Sequence, residues 1–172
     1  NIEIDYKIYD IEKDPLSFID NFFKNGGHGL NITQPFKEEI GKFFNAPPSN
    51  ILYKRDNEIK VDSVDAKGLY TDLVDKNIAL NPGTRILLLG LGGAGISIIN
   101  SPIFNKCNFV VWNRTKKKYN DIQRDFFEFR NNYNKDIDLV VSCVSEMNNE
   151  ISEIILNTNF QEFAHIYDIN YK

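Results

Sequence analysis

Apolar and polar positions along this chain follow two rhythms. Up to about residue 80 the apolar runs are short and interrupted. Ile4, Tyr6 and Ile8 alternate with polar residues, which predicts a strand over 4–8. Leu16, Ile19, Phe22 and Phe23 recur at helical spacing after Pro15, and Asn25-Gly26-Gly27 stops that helix. A strand is expected over 29–33 and a short helix from 37. Ile51 to Tyr53 and Ile59 to Val61 flank Asp56-Asn57 as a hairpin, and a helix from about Ala66 to Lys76 follows.

The rhythm changes beyond Asn81-Pro82-Gly83, a strong breaker. Nearly continuous apolar runs at 85–89, 108–112, 138–143 and 165–169 read as strands covered on both faces, as in a parallel sheet. Helices near 94–102, 116–132 and 150–157 would separate them, with Phe126, Phe127 and Phe129 on the buried face of the middle one. The whole reads as an α/β chain. A small N-terminal α/β substrate domain over 1–81 precedes a Rossmann-like, doubly wound parallel sheet over 82–172.

Composition narrows the function. The 172 residues are 42% apolar and 26% charged, ordinary for a soluble globular protein. A net charge of −4 argues against a nucleic-acid partner, since phosphate contacts need a basic surface. No apolar run approaches the roughly 20 residues of a membrane span. The N-terminus lacks the basic-then-apolar order of a signal peptide, so a cytoplasmic location is expected. Cys107 and Cys143 have neither metal-ligand spacing nor a disulfide-rich context, and no metal site is expected.

Three stretches carry chemistry. Gly90-Leu-Gly-Gly-Ala-Gly95 follows the first apolar strand and opens a helix, the context in which Gly-x-Gly-x-x-Gly binds a dinucleotide. Gly90 permits the turn, Gly92 admits the pyrophosphate, and Gly95 lets helix and strand pack closely. The helix start, with Gly93 and Ala94, offers amides and a positive dipole end to the phosphates. At the end of the next strand a NAD protein usually places Asp or Glu on the ribose hydroxyls. Here Asn113-Arg114-Thr115-Lys116-Lys117-Lys118 clusters cations instead, which suits a 2′-phosphate and favours NADP as the cofactor. The third stretch, Gly29-Leu-Asn-Ile-Thr-Gln-Pro-Phe-Lys37, sets the amide of Asn31, the hydroxyl of Thr33 and the ammonium of Lys37 at one strand's mouth. A core strand has no use for such polarity; a site gripping a hydroxylated or carboxylated small molecule does.

With Asn-x-Thr-x-Pro-Phe-Lys, then Gly-x-Gly-Gly-Ala, then Asn-Arg-Thr, in that order and at comparable spacing, the chain resembles the shikimate dehydrogenase family. The resemblance implies NADP-dependent, reversible reduction of 3-dehydroshikimate to shikimate in chorismate and aromatic amino-acid biosynthesis, by a cytoplasmic monomer or homodimer. It makes Lys37 and Asp65 the catalytic pair and Asn31, Thr33, Asn50 and Tyr171 substrate contacts. It gives Gly90, Gly92, Gly93, Ala94, Gly95, Asn113, Arg114, Thr115 and Lys118 to the cofactor. Departures stand beside the matches. The family's Asn-Thr before the aspartate is Ser63-Val64, and the stretch between Lys37 and Asn50 is short. The family's Ser-x-Ser substrate clamp and its C-terminal Gly-x-x-x-Leu-x-x-Gln segment have no counterpart in these residues. A non-catalytic homologue that binds NADP or a metabolite, or a dehydrogenase for quinate, are the alternatives.

Overall fold

The computed structural model describes residues 4–33, 35–129, 135–146 and 148–169. Its N-terminal part is built on a small antiparallel sheet, β1 (Gly29–Asn31), β2 (Ile51–Arg55) and β3 (Glu58–Asp62), in that order. The β2–β3 hairpin turns on Asp56 and Asn57, both at positive φ (51° and 64°), which Asp and Asn tolerate and a two-residue hairpin requires. Helix α1 (Pro15–Lys24) starts at Asp14, whose Oδ1 accepts from the Ser17 amide at 3.1 Å, with proline in the first turn. Helix α2 (Lys37–Phe43) follows β1. Ile19 and Phe23 of α1, Ile40 of α2 and Leu52 of β2 form the core of this part.

The second sheet contains β4 (Arg85–Leu89), β5 (Asn108–Trp112), β6 (Phe127–Glu128), β7 (Ile137–Ser142) and β8 (Phe160–Asp168), all parallel, in the order β6-β5-β4-β7-β8. Alternate residues of the central strand face opposite cores. Ile86 and Leu88 pack with α3 (Asp65–Asp75) and α4 (Gly93–Asn100); Leu87 and Leu89 pack with α5 (Asn149–Leu156). Burial on both sides explains the uninterrupted apolar runs. Helix α3 reaches from one sheet to the other: Asp65 lies at its start, while Ala66, Leu69 and Leu73 are buried in the core of the parallel sheet. Among the described residues no helix is long and apolar enough to cross a membrane.

Four sequence expectations are corrected. Residues 4–8 form no strand; they run exposed along the surface, with Ile8 at 92% exposure. Their alternation has no buried face to serve. Residues 116–129 form no α-helix either. A 3-10 turn at Lys116–Asp121 leads into β6, where the Phe129 amide donates to the Val111 carbonyl at 2.8 Å. The edge of β5 offers backbone groups that need partners, and pairing there outweighed helical spacing. Phe126 then packs on one core, Phe129 on the other, and Phe127 is exposed. Strand β1 also stops at Asn31, two residues early, and β8 starts at Phe160, five residues before the expected run.

Candidate functional site

The site lies where the two sheets meet. Lys37 is the first residue of α2 and Asp65 the first of α3, twenty-eight positions apart in sequence. The Lys37 ammonium donates to Asp65 Oδ2 at 3.1 Å and to Oδ1 at 3.4 Å. Both side chains are 19% exposed, so the pair is sheltered yet open to a small molecule. Asn50 Nδ2 donates to Asp65 Oδ1 at 2.8 Å, and Asn50 Oδ1 accepts from the Val64 amide at 3.0 Å. Asn50 thus grips the carboxylate and the turn before it with one amide group. The Lys37 carbonyl accepts from the Ser49 amide at 3.2 Å, which ties α2 to the same loop.

Asn31 closes β1, exposed, and its Nδ2 donates to the Tyr6 hydroxyl at 3.1 Å. Thr33 is exposed just beyond the strand, and its carbonyl accepts from the Phe36 amide at 3.1 Å. Tyr171 lies outside the described residues.

Across the cleft, the turn from β4 into α4 has the shape its glycines imply. Gly90 sits at φ +95°, and a Cβ on Gly95 would lie 2.1 Å from the Gly90 carbonyl oxygen. No side chain other than glycine fits at 95, and strand and helix touch there. The first amides of α4 have no acceptor within the helix. Asn113 at the end of β5 braces this turn: its Oδ1 accepts from the Leu91 amide at 2.8 Å and its Nδ2 donates to the Thr115 carbonyl at 2.8 Å. Its side chain is engaged in shaping the loop. Arg114 and Thr115 are exposed beside it. This cradle fits a dinucleotide, with glycine backbone for the pyrophosphate and a guanidinium and a hydroxyl at the ribose end. Behind the cradle, burial pushes the Cys143 thiol far above the usual thiol range.

Sequence reasoning missed three contacts that join the two sides. A Cβ on Gly93 would meet Lys37 Cδ at 3.1 Å and Lys37 Cβ at 3.2 Å, so the glycine turn rests directly on the lysine stem. Ser63 Oγ and Ser97 Oγ lie 2.7 Å apart. Lys118 Nζ donates to Glu38 Oε2 at 2.5 Å. None has a local signal, because each pairs residues from segments far apart in sequence.

No family model matches the chain. Curated relatives do. It is 33% identical over 171 residues to the protein named shikimate dehydrogenase (NADP(+)) of Vibrio atlanticus, a match covering 87% of this chain and 60% of that one. It is 30% identical to the protein of the same name from Buchnera aphidicola, over 90% of this chain and 62% of the other. The chain therefore spans about three fifths of the length of these relatives. Among solved structures, shikimate dehydrogenase from Aquifex aeolicus superposes with a TM-score of 0.70 at 22% identity, covering 91% of this chain and 63% of that one. The Thermus thermophilus enzyme in complex with NADP(H) and shikimate gives 0.63 at 19% identity, covering 90% and 64%. Over the stretch it spans, this chain is a homologue of the NADP(+)-dependent shikimate dehydrogenases and has their fold.

Proposed function

We propose that this chain acts as an NADP-dependent shikimate dehydrogenase, which reversibly reduces 3-dehydroshikimate to shikimate in aromatic amino-acid biosynthesis. The observation that carries the reading is the half-sheltered Lys37–Asp65 pair, set against the start of the glycine turn. In this reading residues 1–81 supply the substrate side and 82–172 the cofactor side. A cytoplasmic location and a monomeric or homodimeric state go with it.

When bound, the nicotinamide supplies the hydride for the ring carbonyl carbon. The chain's own residues handle the proton. Lys37 lies within reach of an oxygen placed beside Asp65, and its ammonium donates as negative charge develops there; in the reverse direction the same nitrogen accepts the proton. Asp65 accepts from Lys37 and from a substrate hydroxyl, which fixes both. Asn50 holds Asp65 in that orientation, and this is a more specific role than the substrate contact the family pattern implies. Asn31 and Thr33 line the open rim with donors and acceptors suited to a polyhydroxylated ring. At the other end Arg114, Thr115 and Lys118 hold the 2′-phosphate.

The test is formation of reduced nicotinamide, followed by its absorbance, with shikimate and NADP and separately with quinate and NAD. Turnover with the first pair supports the reading. Absence of turnover with either pair, or turnover with quinate and NAD alone, would overturn it.

A further inference from the structure

We propose that Glu38 governs this chain's discrimination between the phosphorylated and unphosphorylated dinucleotides, because its carboxylate and the 2′-phosphate compete for the Lys118 ammonium. The inference rests on the reading above, that a 2′-phosphorylated dinucleotide binds at the end of β5.

Lys118 follows Thr115 through one 3-10 turn, its amide donating to the Thr115 carbonyl at 3.1 Å. It therefore sits at the same corner as Arg114. Its ammonium does not extend into solvent but crosses to α2 and meets Glu38 Oε2 at 2.5 Å, eighty positions away in sequence. The two side chains are 30% and 37% exposed. The neighbouring pair of Lys116 with Glu128 is longer, 3.5 Å, and its lysine is 82% exposed, the weakly coupled kind. Glu38 lies in the first turn of α2, where the helix dipole favours a carboxylate.

A dinucleotide carrying a 2′-phosphate brings about two negative charges to this corner. The phosphate needs Lys118 and is repelled by Glu38. A dinucleotide with a free 2′-hydroxyl needs neither. Binding of the phosphorylated form thus draws Lys118 from Glu38 and loosens the tie on α2, whose first residue is Lys37. The unphosphorylated form leaves the ion pair intact. Glu38 lowers affinity for the phosphate in return for linking the ribose end of the cleft to the helix that bears the lysine.

Isothermal titration of the purified chain and of Glu38→Gln, Glu38→Asp, Lys118→Ala and the Glu38→Gln/Lys118→Ala double variant would test this. The titrants are NADP, NAD and adenosine 2′,5′-bisphosphate. Glu38→Gln should bind NADP and the bisphosphate about three- to tenfold more tightly while NAD changes by less than about twofold. Glu38→Asp, which keeps the charge and confirms that the position tolerates change, should stay near wild type. The gain from Glu38→Gln should shrink when Lys118 is absent. Equal gains for NADP and NAD, weaker NADP binding, or a gain undiminished without Lys118 would overturn the assignment. Wild-type binding of NADP with no difference among the Glu38 variants would sink this inference alone. Failure of wild type to bind either dinucleotide would sink the proposed function with it.

Discussion

Replacing Gly93 by alanine adds one methyl group where the glycine turn rests on the Lys37 stem. That carbon would lie 3.1 Å from Lys37 Cδ, 3.2 Å from Lys37 Cβ and 3.6 Å from Pro48 Cβ. Carbon atoms settle near 3.5–4.0 Å, so the lysine must retreat by roughly half an ångström. Its Cβ cannot swing aside alone, because the Lys37 carbonyl is held by the Ser49 amide at 3.2 Å. The ammonium is thereby displaced from Asp65, now 3.1 Å away. A misplacement of about 1 Å in a reacting group lowers the rate about 10²-fold, so half of that gives roughly tenfold. We expect Gly93→Ala to lower kcat about tenfold while the dissociation constant for NADPH, followed by its fluorescence, changes by less than about threefold. The added methyl points to the lysine and leaves the amides of the turn in place. Unchanged kcat, or intact kcat with lost NADPH affinity, would refute the steric argument. Gly95→Ala is the contrasting control, since its methyl would collide with the Gly90 carbonyl at 2.1 Å and must spoil the turn itself.

Lys37→Ala and Asp65→Asn should each lower kcat by about 10²–10⁴-fold with the circular dichroism spectrum unchanged; wild-type rates in both would remove the pair from the chemistry. Arg114→Ala should weaken NADP binding well beyond its effect on NAD, as measured by titration, since an exposed guanidinium at the end of β5 has the 2′-phosphate as its partner in this reading. Hydrogen bonds from Ser17 hold the Asp14 carboxyl below its ordinary value of 3.8. Its stabilisation of α1 is therefore present above that pH and fades as pH falls through the lowered value. The melting temperature of wild type should exceed that of Asp14→Ala near neutrality, and the gap should narrow in acid. Burial raises both the Cys107 and Cys143 thiols. Alkylation of the native chain should be slow at pH 8 and complete only in denaturant, as counted by mass spectrometry.

The parallel sheet was legible because its strands are covered on both faces. Leu87, Leu88 and Leu89 announce themselves as an unbroken run since each has a core to fill. The glycine turn was legible because a backbone at φ +95° and a contact at 2.1 Å leave glycine as the residue that fits. Ile4 to Ile8 misled because alternation signals a strand only when one face is buried, and here neither is. The lysine-rich stretch after Thr115 misled for the opposite reason: its phenylalanines serve two cores and a sheet edge, not one helical face. The pairing of Lys37 with Asp65 followed from the resemblance to a family, not from spacing. The contacts of Asn50, Gly93 and Glu38 were hidden, because no local pattern encodes which residues meet across the fold.

Among the described residues the chain passes from the antiparallel sheet to the helix anchored in the parallel one through residues 63–64, and Asp65 stands immediately beyond them. Separating the two sheets would consequently have to break the Lys118–Glu38 ion pair and lift the Gly93 turn from the Lys37 stem. The amine that meets the acid is thus also the surface on which the nucleotide turn rests.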